Sequence, residues 1–195
     1  MGTDRFLEYE GPCKCGKGSY KINSCTPDHG WPISNPFWYE AYIHCDNCKE
    51  KYNLIQQGRN FVLIELAELN ERESHRKKAY DLANNLMKQE KTQLTLELLV
   101  SLLDSQPSMA AVHRKLRKFG LENSSIGTFR KFWSGGKDWV NRYISAYNIP
   151  KVLELLEKDD VEMLERIKQI NDLHKEADKP LTPIGMPVYK TSEEG

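Results

Sequence analysis

Cys13-Lys14-Cys15-Gly16-Lys17-Gly18 and, further along, His44-Cys45-Asp46-Asn47-Cys48 decide how the first third of this chain folds. Tetrahedral zinc takes four soft or borderline ligands, and two turns that each carry a close cysteine pair supply them with little added loop entropy. Gly16 and Gly18 let the first turn curl so that amide N–H groups face the thiolates. Cys13, Cys15, Cys45 and Cys48 are therefore the expected ligands. With no open coordination position or general base in view, a structural Zn2+ is expected rather than a catalytic one. The fifth cysteine, Cys25, reads as a small buried hydrophobe, while Cys25, His29 and His44 stand as substitutes in the ligand set.

Around these turns the chain reads as strands: Tyr20-Lys21-Ile22 after the first, Trp38 to Ile43 before the second, then Tyr52 to Ile55 and Phe61 to Ile64. Two knuckles joined by strands in this order resemble the zinc-ribbon family over about residues 7–64. The resemblance implies a small β module stitched together by the metal. Its first knuckle departs from the family pattern, Cys-x-Cys in place of Cys-x-x-Cys, which implies a different local geometry. The run from Cys13 to Gly18 also resembles the start of the short zinc motif at the end of SecA-type proteins. That motif continues with a Cys-Cys or Cys-His pair, whereas Cys25 is followed by Thr26. Between the knuckles lies an aromatic loop whose Trp31, Phe37, Trp38 and Tyr39 read either as a partner-contact patch or as core for a module short of apolar residues.

From residue 65 the pattern becomes helical. Leu66, Leu69, Arg72, Arg76, Tyr80, Ala83 and Met87 mark one face of a connecting helix over 65–91, and its middle, Glu71 to Lys78, carries no apolar residue and reads as solvated. Next come three short helices. The first, Thr95 to Asp104, stops before Pro107; Ser108 caps the second and Gly120 ends it; Ser124 or Ser125 caps the third, with Ile126, Phe129 and Trp133 facing in. A further aromatic helix spans Lys137 to Tyr147, and two more span 151–158 and 161–174, the last with Leu164, Ile167 and Ile170 inward. The tail over 175–195, with Pro180, Pro183 and Pro187, reads as flexible.

A helix, a glycine-led turn and a serine-capped helix stand in helix-turn-helix order. The run from Val112 to Ser125 resembles the corresponding stretch of transposase and repressor domains, over about residues 95–133. That resemblance implies duplex DNA as a partner, with Ser125, Thr128, Arg130 and Lys131 reaching base edges or phosphates from the third helix. Arg114, Lys115, Arg117 and Lys118 would neutralise phosphates nearby.

Charge agrees with this placement. The whole chain is formally neutral, yet Ser108 to Ile149 holds eight basic residues (Arg114, Lys115, Arg117, Lys118, Arg130, Lys131, Lys137, Arg142) against Glu122 and Asp138, a local +6. From Pro150 onward seven basic residues meet eleven acidic ones, a local −4. Hydrophobic residues at 39% and charged ones at 29% exclude wholesale disorder. Leu98 to Leu103 is the longest apolar stretch and too short for a membrane partner. The first residues lack the apolar core of a secretory signal, and Phe6 stands where a myristoylation motif needs Ser or Thr. A cytoplasmic, reducing setting is expected, where clustered cysteines bind metal.

No phosphate loop, His-Glu-x-x-His or Gly-x-Ser-x-Gly motif occurs, so no enzyme is expected. These readings combine into an α+β protein: a zinc ribbon over 1–64, a connecting helix over 65–91, a helical domain of helix-turn-helix type over 92–174, and a tail. The expected function is DNA binding by a transcriptional regulator or a mobile-element or phage accessory factor. The alternative is a protein–protein adaptor or inhibitor, such as a phage antagonist of a host complex, that uses the aromatic loop or forms a homodimer.

Overall fold

Side chains alternate along β-strands, and in the computed structural model this alternation builds two small sheets at the N-terminal end. Residues 3–27, 38–57 and 60–184 are described. They divide into two units, Met1–Glu73 with Lys179–Gly195, and Ser74–Asp178.

In the first unit β1 (Thr3–Pro12), β2 (Ser19–Pro27) and β3 (Trp38–His44) form an antiparallel sheet in that order, and β4 (Tyr52–Gln57) pairs with β5 (Asn60–Glu65) in a hairpin. Tyr20, Ile22 and Ser24 of β2 are buried, as are Phe61, Val62 and Ile64 of β5. Tyr39 of β3 packs edge-to-face on Phe61, with ring centres 5.3 Å apart. Between β3 and β4 a single turn of helix, α1 (Asp46–Lys49), carries Cys48.

Strand β1 was not expected. It is an edge strand with Phe6 and Leu7 both exposed, and its register with β2 shifts between Leu7 and Tyr9. The shift breaks the alternation by which a strand is recognised. The segment after Ala177, read as flexible, is tied down as far as Ile184. The carbonyl of Lys179 accepts from Arg72 at 2.6 Å, and the Ile184 amide donates to the Phe61 carbonyl at 2.9 Å. Chain end composition does not reveal such main-chain tethers.

The second unit is helical. It takes up the later part of α2 (Leu66–Lys88), then α3 (Glu90–Asp104), α4 (Met109–Lys118), α5 (Ile126–Phe132), α6 (Gly136–Tyr143), α7 (Ile149–Leu155) and α8 (Val161–Ala177). Leu99, Leu103, Leu116, Ile149, Val152 and Ile170 lie at its centre.

The middle of the connecting helix, Glu71 to Lys78, is exposed as expected except at Arg72 and His75, but the helix also enters the core. Arg72 is buried, its guanidinium held by Glu68 at 2.7 Å, and Ala79, Ala83 and Leu86 enter the core while Tyr80 is 65% exposed. Of the expected face, Arg72 and Ala83 are buried and Leu66, Leu69 and Met87 half-buried, while Arg76 and Tyr80 are exposed and Ala79 takes the inward place between them. Gln89, in extended conformation, ends α2 and starts α3 several residues ahead of the expected Thr95. The aromatic helix stops at Tyr143, and a 3-10 turn over Ala146–Asn148 leads directly into α7. In α8, Met163 rather than Leu164 joins Ile167 and Ile170 in the core, and Asp160 caps the helix by accepting from the Met163 amide at 3.1 Å.

Candidate metal centre and basic helix face

The β1–β2 turn holds Cys13 and Cys15, while Cys45 caps α1 after β3 and Cys48 lies within α1. Their four sulfur atoms lie within 4.8 Å of one another and could hold a metal ion. Cys13 and Cys15 Sγ are 3.2 Å apart, and Cys15 and Cys45 Sγ are 3.4 Å apart. A tetrahedron with metal–sulfur bonds of about 2.3 Å needs sulfurs about 3.8 Å apart, so the cluster has the right size for one zinc-sized ion. Cys13 and Cys48 are buried, Cys45 is half-buried and Cys15 is exposed.

Backbone hydrogen bonds shape both turns. In the first, the Cys13 amide donates to the Gly18 carbonyl and the Gly16 amide to the Cys13 carbonyl, each at 2.9 Å. Gly16 sits at φ +71°, a left-handed conformation that favours glycine. Its amide therefore meets a carbonyl rather than a thiolate. Backbone amides of Gly18, Cys15 and Cys48 favour the thiolates of Cys13, Cys48 and Cys45 respectively. In the second turn, the Cys48 and Lys49 amides donate to the Cys45 carbonyl at 3.1 and 2.9 Å.

The thiols divide their charge unevenly. Burial pushes Cys13 up, but hydrogen bonds from Cys15, Cys45 and Cys48 outweigh it and hold the group at about 6. Hydrogen bonding with Cys15, together with burial, pushes Cys45 up to about 12. Four sulfurs this close favour one thiolate and resist the next; a divalent cation is what allows all four to ionise.

Cys25 lies outside the cluster, fully buried on β2, and burial raises its thiol pKa. His44, beside the cluster, is exposed and tilted against Tyr42, and His29 falls outside the described residues. Of the aromatic loop, Trp31 and Phe37 also fall outside them. Trp38 is exposed on β3 while Tyr39 turns inward to Phe61, so these neighbours occupy opposite faces of the sheet.

In the helical unit the two serine caps form as expected. Ser108 accepts from the Ala111 amide at 3.3 Å, and Ser125 accepts from the Thr128 amide at 3.2 Å. Gly120, at φ +65°, ends α4. Arg114, Arg117, Lys118, Arg130 and Lys131 are exposed and Lys115 is half-buried. Ser125 and Thr128 are engaged with each other, their hydroxyl oxygens 3.0 Å apart.

Two residues that sequence reading passed over set the turn between α4 and α5. Buried His113 donates Nε2–H to the Ser124 carbonyl at 2.9 Å and packs against Phe129. The Glu122 carboxylate accepts from the amides of Asn123 and Ser124 at 2.8 and 2.7 Å. The signal for His113 was its place beside Val112 on the inward side of α4. Glu122 carried none beyond its place in the turn.

No protein-family model, curated protein or solved structure matches this chain. Among the described residues no helix is long and apolar enough to cross a membrane.

Proposed function

We propose that this chain is a zinc-containing, non-enzymatic DNA-binding protein, in which the α4–α5 pair acts as a helix-turn-helix and the cysteine cluster holds the N-terminal module together. One observation carries the DNA reading. None of the eight basic residues between Ser108 and Ile149 has a carboxylate within 4.0 Å among the described residues. Elsewhere Arg5, Lys21, Lys49, Arg72, Arg76, Lys91, Arg166 and Lys175 are each paired. Lys14, Lys17, Lys51, Lys77, Lys78, Lys88, Lys151, Lys158 and Lys168 likewise have no carboxylate within 4.0 Å among the described residues, so it is the density of such cations on 108–149 that supports the reading. Cations left without a carboxylate partner on neighbouring helices suit phosphates, although Lys118 and Arg142 lie over the rings of Phe119 and Tyr143. The all-thiolate donor set favours Zn2+ over hard cations. A regulator or a mobile-element accessory factor would use such a surface.

The test is binding of the zinc-loaded protein to random duplex DNA across a salt series, read by fluorescence anisotropy. Affinity that falls steeply with salt supports phosphate contacts, with a logarithmic slope of about −0.9 per contact. No binding at low salt removes the DNA reading.

A second reading, a protein-partner adaptor, draws on the open face of the first sheet. There Glu40 accepts hydrogen bonds from Arg5, Trp38 and Tyr42, with Trp38 and Tyr42 both exposed. If it holds, binding to a purified partner fails on Trp38→Ala and survives substitution of Arg130 and Lys131.

A further inference from the structure

The four sulfurs of the metal centre are not equally sheltered. Cys13 and Cys48 are buried and Cys45 is half-buried, whereas Cys15 is exposed at the tip of its turn, with Lys14, Gly16 and Lys17 exposed around it. Lys14 and Lys17 have no carboxylate within 4.0 Å among the described residues, so the tip carries two uncompensated cations. An exposed sulfur in electropositive surroundings is where an oxidant attacks first.

Cys15 also has a second sulfur within reach on the facing element. Cys45 Sγ lies 3.4 Å away, and a disulfide needs closure to about 2.0 Å. The backbones already meet there, because Gly18 of the first turn abuts Cys45. Cys13 Sγ is as near, at 3.2 Å, but it is buried. Bridging it to Cys15 would also close a very short ring inside a turn that hydrogen bonds between Cys13 and Gly18 and between Gly16 and Cys13 already fix. Rings that short are stiff. Cys25, fully buried on β2, stands outside the cluster.

We propose that Cys15 is an oxidation site of the metal centre, where peroxide joins it to Cys45 and frees the metal while the two knuckles stay linked. The Cys15 thiolate attacks one peroxide oxygen, the O–O bond breaks, and a sulfenic acid and a hydroxide form. The Cys45 thiolate then attacks the Cys15 sulfur, the S–O bond breaks, and a second hydroxide departs as the S–S bond forms. The two sulfurs lose two electrons, the peroxide gains them, and solvent protons turn both hydroxides into water. Cys13 and Cys48 are then the only thiolates left, too few for a closed site. The bridge constrains the chain between residues 15 and 45 in place of the ion. This inference rests on the zinc reading above.

The test treats the full zinc-loaded chain with equimolar hydrogen peroxide. Released zinc is read with a chromogenic chelator, disulfides by peptide mass mapping, and stability by urea unfolding. About one zinc should leave per bridge formed, and the peptide linking Cys15 to Cys45 should dominate. Cys25→Ala should respond as wild type, and a thiol reductant with added zinc should restore the site. The oxidised protein should unfold at a higher urea midpoint than reduced protein stripped by chelator. A dominant Cys13–Cys15 bridge, oxidation of Cys13, Cys48 or Cys25 ahead of Cys15, or zinc that stays bound after the bridge forms would each overturn the inference. So would an oxidised midpoint at or below that of the stripped protein. Folded protein that carries no zinc before treatment would instead sink the zinc reading beneath it.

Discussion

Gly18 and Cys45 approach so closely that a Cβ on the glycine would stand 2.6 Å from the Cβ of the cysteine. The same atom would also run into the carbonyl oxygen of His44. The two cysteine turns thus meet backbone to backbone, and the sulfur cluster depends on that contact as well as on the choice of residues. Gly18→Ala must push the turns apart, at an overpacking cost of about 1–3 kcal/mol. It is expected to lower metal affinity in a competitive chelator titration. Gly16→Ala, which meets nothing within 4 Å, should incur only the left-handed backbone strain of about 1–2 kcal/mol. Equal metal affinity for wild type and Gly18→Ala would refute the contact's role.

Glu40 supplies a pH signature. Its carboxyl is held at about 2, chiefly by the hydrogen bond from the Arg5 guanidinium, with Tyr42 and Trp38 adding to it, against an ordinary value of 4.5. A carboxyl lowered in the folded state stabilises above its unfolded pKa and loses that contribution as pH falls through the folded one. The effect should therefore be complete above about pH 4.5 and fade toward pH 2. Glu40→Gln should lower the urea midpoint at neutral pH, and its difference from wild type should shrink across that window. A difference that does not change with pH would show that the carboxylate charge is irrelevant.

These two contacts mark where sequence reading succeeds and where it ends. The cysteine pairs, the strands after the first of them and around the second, and the caps at Ser108 and Ser125 were legible because each is local, a turn or one helical period long. The edge strand β1 was not, since its register shift at Leu7 and Tyr9 removes the alternation. Nor was the tie from Arg72 of α2 to the Lys179 carbonyl. Such partners lie far apart in the chain, and no periodicity records them. The hub at Glu40 is of the same kind, joining β1 to β3 across the sheet.

Arg130→Ala with Lys131→Ala tests the helix face directly. If both residues touch phosphate, the double variant should weaken duplex binding about tenfold or more and reduce the salt slope by about 2. The caps and core of α5 do not use these side chains, so the thermal midpoint should stay near wild type. Affinity and slope that both stay unchanged would clear α5 of any role in binding.

The neighbours Trp38 and Tyr39 should separate in stability. Tyr39→Ala removes the edge-to-face contact with Phe61 and half-buried apolar area, and is expected to cost about 1–3 kcal/mol. Trp38 lies on the other face, 37% exposed with only a long hydrogen bond to Glu40, so Trp38→Ala should cost less than Tyr39→Ala, about 1 kcal/mol or less. Denaturant unfolding of both variants decides the matter, and the reverse ranking would place the wrong ring in the core.

X-ray absorption at the zinc edge of the purified protein tests most directly the claim that two knuckles close on one metal. Cys13, Cys15, Cys45 and Cys48 together predict a single zinc with four sulfur neighbours at about 2.3 Å and no nitrogen. A shell of two or three sulfurs completed by nitrogen, or protein that carries no zinc when folded, would contradict it.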